Sequence, residues 1–248
     1  MRSNQIIVFL SALLCLLLAA SPLLAGNKRI MSIKAAKVMA ERALVESMYG
    51  LKLRAEERVE DMVAASFMGN AESKTSASIK GVEYEEVLYD ETQDIAQVTA
   101  SVRMPSITNV DGVTVDLQNK LFRRVGFGTS TPSAAGPLKA LRAAELDAYK
   151  ELIKNLVGFE LESHTTVENF MLKSDLVKTK VMATLFLAEL TEYGWTPEGD
   201  AYVKMQLNLS EAGQMLGENL LTDREIIEVE GMGAQVDDFS EVNGGGNQ

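Results

Sequence analysis

LKALRAAELDAYKELIKNLVGFELESHTTVENF, residues 138–170, reads as an alanine-rich helix that stops at a glycine and turns into a strand. Ala140, Ala144, Ala148, Leu152 and Leu156 recur at every fourth position, so they stack in one row along a helix face. The small side chains that begin the row let such a helix lie close to whatever it covers. Asn155 and Gly158 mark the helix end, and a left-handed glycine is the expected terminator. Phe159, Leu161, Ser163 and Thr165 then alternate with Glu160, Glu162, His164 and Thr166, a period of two that suits a half-buried strand.

The same pattern stands earlier in the chain. Residues 33–66 align with 141–174 without a gap at a constant offset of 108, matching Ala36, Ala40, Leu44, Gly50 and Leu53 to Ala144, Ala148, Leu152, Gly158 and Leu161. After a shift of three, AQVTASV at 96–102 matches AYVKMQL at 201–207. The recurrence of one whole unit predicts two tandem related modules. Each has the order strand, helix, strand, helix, hairpin: an α+β unit in which an antiparallel sheet carries helices on one face. The expected division is a signal peptide at 1–25, a first module at 26–108, a linker with short strands at 109–136, a second module at 137–221 and an acidic tail at 222–248. Within it, residues 33–49 and 174–187 are expected as helices, the latter capped by Ser174 or Asp175 with Leu176, Val177, Val181 and Leu185 inward. Residues 51–59, 79–89, 95–104, 188–195 and 201–209 are expected as strands, with turns at 90–94 and 196–200.

Residues 6–20 form an almost unbroken apolar run after Arg2, and SPLLA at 21–25 offers a cleavage site before Gly26. Export to the periplasm is the expectation, with an uncleaved anchor as the alternative. Leu14 stands where a lipoprotein signal places a small residue before its cysteine, so cleavage at Ala25 is favoured over acylation of Cys15. Cys15 is the single cysteine, and its removal leaves no disulfide, thiol nucleophile or cysteine–metal site. With 35 acidic against 24 basic side chains, the surface has no electrostatic reason to bind nucleic acid or an anionic membrane.

The chemistry-bearing residues point away from catalysis. His164 is the only histidine, and Ser163 beside it on a strand would point to the opposite face. The first module carries Glu56 at the equivalent place, which makes a surface histidine the expected reading. Only oxygen ligands are available to a metal. Asp90, Glu91 and Asp94, or Glu198 and Asp200, lie in turns where solvated carboxylates are the simpler account. Gly126-Phe127-Gly128 lacks the third glycine of a dinucleotide fingerprint and the lysine of a phosphate loop, and reads as a strand ending in a turn. Glu85-Glu86 and Asp237-Asp238 are adjacent pairs, unlike the separated carboxylates of glycoside chemistry. Tyr193 and Trp195 share one side of a strand with Tyr202 on its hairpin partner: an aromatic binding surface or, more simply, cross-strand packing. No catalytic, cofactor or metal residue is assigned.

LRAAELDAYKEL at 141–152, VGF at 157–159, TTVENF at 165–170, PEG at 197–199 and VGFG at 125–128 together resemble the FlgP-type small envelope lipoproteins, a flagellum-associated outer-membrane family. The likeness spans residues 124–210 and more faintly the first module. It implies a Gram-negative envelope protein without known catalytic residues, and in some members a multi-copy ring around the flagellar basal body. Typical members have one module and an acylated cysteine, whereas this chain has two modules and a poor acylation site. The expected function is a non-enzymatic structural or assembly protein of the envelope that works through protein contacts, self-association included. The alternative is a periplasmic module holding a small ligand or peptide between its two domains.

Overall fold

The computed structural model describes residues 21–52, 80–108, 112 and 114–234. Of the strand expected at 51–59, Leu51 and Lys52 instead end the first helix, and residues 53–59, with Leu53 and Glu56, lie outside these residues, as do Cys15, Asp237 and Asp238. Helix α1 (Ser21–Lys52) is followed by β1 (Glu83–Asp90), β2 (Ile95–Thr108) and β3 (Thr114–Thr129). A single 3-10 turn (Pro132–Ala134) leads into α2 (Ala135–Val157), then α3 (Val167–Met171), α4 (Asp175–Leu185), β4 (Glu189–Trp195), β5 (Ala201–Asn208), α5 (Leu209–Leu216) and β6 (Ile226–Gly233). The strands form two three-stranded antiparallel sheets, ordered β1-β2-β3 and β4-β5-β6. The fold is therefore α+β.

Each sheet has a long helix laid on one face, and the alanine rows explain how close it lies. Ala36, Ala40 and Leu44 of α1 are fully buried, as are Ala144, Ala148 and Leu152 of α2. Beneath the first row lie Gly126 and Gly128 of β3, and beneath the second lie Gly231 and Gly233 of β6. A methyl placed on Gly126 would stand 2.1 Å from the Ala40 nitrogen, and one on Gly231 would stand 2.2 Å from both the Ala144 oxygen and the Ala148 nitrogen. Alanine on the helix and glycine on the strand thus bring backbone against backbone. Apart from Arg124 on β3, the inner faces are lined by apolar residues such as Ala96, Val98 and Ala100 on β2, and Ala201, Val203, Met205 and Leu207 on β5. Buried residues of both halves join in one continuous cluster, completed by Tyr149, Phe186, Leu161 and the inner side of α4.

Several local expectations are corrected. Helix α1 runs through Gly50 to Lys52, so that glycine does not end it. Gly158 does follow the last residue of α2, but its backbone is not left-handed. Lys154 and an Asn155 amide bond to the Glu151 carbonyl finish the helix instead. The strand expected after it is a closed turn: Leu161 N–H donates to Thr165 O at 2.8 Å, and Val167 N–H to Phe159 O at 2.9 Å. Two isolated bridges are all the pairing it makes, because Thr166 accepts from Asn169 N–H and starts α3. Ser174 caps α4 as expected, but Leu176 faces outward. Residues 114–129, in the linker expected to hold only short strands, form one long strand, β3, paired along β2. Residues 226–233, assigned to the acidic tail, form β6, paired along the whole of β5. Their alternation, with Ile227, Gly231 and Gly233 inward and Glu228 and Glu230 outward, is a strand pattern that the acidic count concealed.

Candidate functional site: the junction between the two sheets

The halves meet where β3, an edge of the first sheet, approaches β4, an edge of the second. Arg123 and Arg124 are neighbours on β3, so their side chains leave on opposite faces. Arg123 donates to Glu85 on β1 at 2.8 Å and to Glu189 on β4 at 2.5 Å, tying the two sheets across their shared side. Phe127 of β3 meets Tyr193 of β4 edge to face, with centroids 4.5 Å apart, and Tyr193 meets Trp195 at 6.0 Å. The Trp195 indole N–H donates to Pro137 O at the start of α2. Tyr202 is not part of this cluster. It pairs with Gly194 on the opposite face, where its ring occupies the space a Gly194 side chain would need.

Arg124 points into the core and is 3% exposed. Its guanidinium lies near the rings of Tyr149 and Phe186 and donates to Ser47 Oγ at 2.8 Å, to Phe186 O at 3.0 Å and to Arg123 O. It therefore binds α1, β3 and the end of α4 at one point, with aromatic faces and carbonyl dipoles compensating the buried charge. A second cluster joins the helices. Arg142 of α2 pairs with Glu46 of α1 and with Glu145 at 2.6 Å, while Arg42 holds the other Glu46 oxygen at 2.9 Å. Burial pushes the Glu46 carboxyl up, and the two arginines oppose that shift only in part. Burial likewise disfavours the Arg142 charge, but Glu145 and Glu46 outweigh it and raise the guanidinium's pKa. The buried Tyr149 phenol is pushed up to about 12 by desolvation and stays neutral.

Two clefts flank this junction. One, of about 520 Å³, opens between the uncovered face of the first sheet and β4, with Glu86, Arg123, Glu189, Thr191 and Glu192 in its wall. The other, of about 370 Å³, lies between α1, α2 and the two edge strands. Its wall is mainly apolar: Ala35, Met39, Phe127, Leu138, Leu190 and Val203, with Lys139, Arg142 and Glu145 as its charged members.

The residues singled out in the sequence do not converge. His164 sits in the turn after α2 with φ 56°, its side chain 81% exposed and 3.3 Å from Glu160. Ser174 is spent on capping α4. Asp90 accepts from the backbone of Thr92 and Gln93 in its own turn. No group of three or more His, Cys, Asp or Glu among the described residues is placed to hold a metal ion. Asp94 is the exception to the solvated reading. It is 7% exposed, has φ 52°, and accepts from Ser32 Oγ at 2.7 Å, Tyr89 OH at 3.0 Å, Ser130 Oγ at 2.6 Å and Thr131 Oγ1 at 2.6 Å. Burial alone would raise its pKa; the four hydroxyl bonds outweigh that and hold the carboxyl well below the usual range. It fastens α1, the β1–β2 turn and the approach to α2. Serine and threonine at 32, 130 and 131 gave no signal in the sequence, because their common partner lies dozens of residues away.

No protein-family model, no curated protein and no solved structure matches this chain.

Proposed function

We propose that this chain is a non-enzymatic, exported assembly protein of the bacterial envelope that works by accepting a partner strand on the open edge of β1. The observation that carries the reading is that strand. Seven of its eight residues are exposed, including Tyr84, Val87 and Leu88. It pairs with β2 on one side, and among the described residues nothing pairs with the other. An exposed strand of this length with apolar side chains is a template for strand addition, the main chain supplying affinity and alternate side chains selecting the partner. Its Glu83, Glu86 and Asp90 favour a partner segment rich in lysine and arginine. The envelope and flagellar setting of this proposal rests on the family resemblance in residues 124–210 alone.

The tandem reading belongs to the same proposal. Both halves lay an alanine row over a Gly-x-Gly strand, and the offset from Ala96 to Ala201 equals that from Gly128 to Gly233. Between those points the first half extends β2 and β3 into a long arm, whereas the second spends the same length of chain on α5 and its loop. Gln118 and Lys120 of that arm bond to Gln214 of α5, so the two insertions also support each other.

Site-specific photo-crosslinking in the native host tests the function. A photoreactive residue at Leu88 should give one dominant adduct with a basic strand of another envelope protein, mapped by mass spectrometry. A control at Lys154 should not. Adducts no stronger from Leu88 than from Lys154 would overturn the reading.

A further inference from the structure

The apolar cleft between α1 and α2 carries chemistry that strand addition does not use. It separates two helices that each pack on their own sheet, and its floor is the β3 edge with Leu190 and Val203 of the second sheet. At about 370 Å³ it lies in the range of small-molecule sites, which pair an apolar wall with a few placed polar groups. The charges at its rim are unequal. Glu145 is paired with Arg142, and Arg142 also holds Glu46. Lys139 is exposed and forms no ion pair among the described residues. The rim therefore has one cation left over, at the amino end of α2, whose first turn has no acidic residue.

We propose that this cleft binds a single-chain amphiphile, the aliphatic chain lying along Met39, Phe127, Leu138 and Leu190 and an anionic head resting against Lys139. The wall supplies chain-length dependence through apolar burial, and the lysine selects the head group. Such a ligand bridges α1 and α2 and so ties the two halves more tightly together.

Calorimetric titration of the purified chain in detergent-free buffer tests it, using octanoate, decanoate and dodecanoate below their micellar concentrations with the matched n-alkanols alongside. Affinity should rise about fourfold per added methylene until the cleft is full. Each carboxylate should bind about two- to fivefold tighter than its alcohol, the range of an exposed ion pair. Lys139→Gln should abolish that preference and leave alkanol affinity unchanged. Met39→Trp, at a half-exposed position in the wall, should weaken the whole series. Absence of binding by the parent chain, affinity independent of chain length, or an unchanged carboxylate preference in Lys139→Gln would overturn the proposal.

Discussion

Replacing Gly231 or Gly126 by alanine adds one methyl group and attacks the contact on which each half is built. Neither glycine has a positive φ, so backbone strain does not enter. The new carbon at 231 would stand 2.2 Å from the Ala144 oxygen, and that at 126 would stand 2.3 Å from the Ala36 oxygen, against 3.4–4 Å for ordinary contact. The obstructing atoms are helix backbone, which cannot rotate away as a side chain would. Relief requires the helix to lift by roughly 1 Å, and a gap of that size forfeits a quarter to a half of each dispersion contact along the row. Overpacking of this kind costs about 3 kcal/mol, equivalent in a chain of this size to a melting temperature lower by about 6–12 °C. Gly158→Ala is the matched control, since its methyl would meet nothing nearer than 3.6 Å, and it should stay within about 0.5 kcal/mol of the parent. Thermal melts of the three variants decide the matter. A Gly231→Ala melt indistinguishable from that of Gly158→Ala would show that the helix and strand are not in backbone contact.

Two further substitutions probe the ties around that core. Asp94→Asn keeps a residue tolerant of φ 52° but removes the charge that four hydroxyls face, and should cost about 2 kcal/mol at pH 7. The folded pKa of Asp94 is depressed below its unfolded value of 3.8, so its contribution is full above that value and declines below it. Urea melts should therefore show the gap between parent and variant narrowing from pH 5 to pH 3, and a constant gap would refute the assignment. Arg124→Lys keeps the charge but loses the planar fork that reaches Ser47 and Phe186 O together. It should destabilise by about 2–4 kcal/mol in chemical melts, and stability equal to the parent would show that the guanidinium geometry is irrelevant.

The helices and hairpins were legible because their signals are local. Period-four alanines announced the inner faces of α1 and α2, and turn residues between alternating runs announced β1–β2 and β4–β5. The close approach was half legible: the small row was evident, but its counterpart in Gly126 and Gly128 read only as the end of a strand before a turn, since one strand glycine cannot reveal which helix lies over it. The strand expected after α2 failed because alternation over 159–166 is equally available to a tight turn, and the bonds that chose the turn join Leu161 to Thr165 and Leu220. The junction was least legible. Arg123 and Arg124 are an ordinary basic pair until β3 fixes their opposite directions, and the apolar cleft takes its wall from both helices and three strands.

Charge bears on how the proposed assembly grows. Inside the chain the edge strands β3 and β4 meet with opposite signs, Arg123 against Glu189. The two edges left open among the described residues, β1 and β6, are both acidic: Glu83, Glu86 and Asp90 on one, Glu228 and Glu230 on the other. A head-to-tail repeat of the internal contact would set carboxylate against carboxylate, and like charges directly opposite each other across strands are destabilising. The self-association expected from the sequence is thus opposed at the sheet edges, whereas a basic strand from another protein is attracted there. Salt separates the two cases because screening acts on them with opposite sign. Raising the ionic strength should weaken capture of a basic partner at β1, and it should strengthen any contact between copies made through these edges. Sedimentation of the chain alone and mixed with the free partner that the cross-linking identifies, each at low and high salt, measures both. Self-association that is strongest at low salt would mean that copies meet through some surface other than the strand edges.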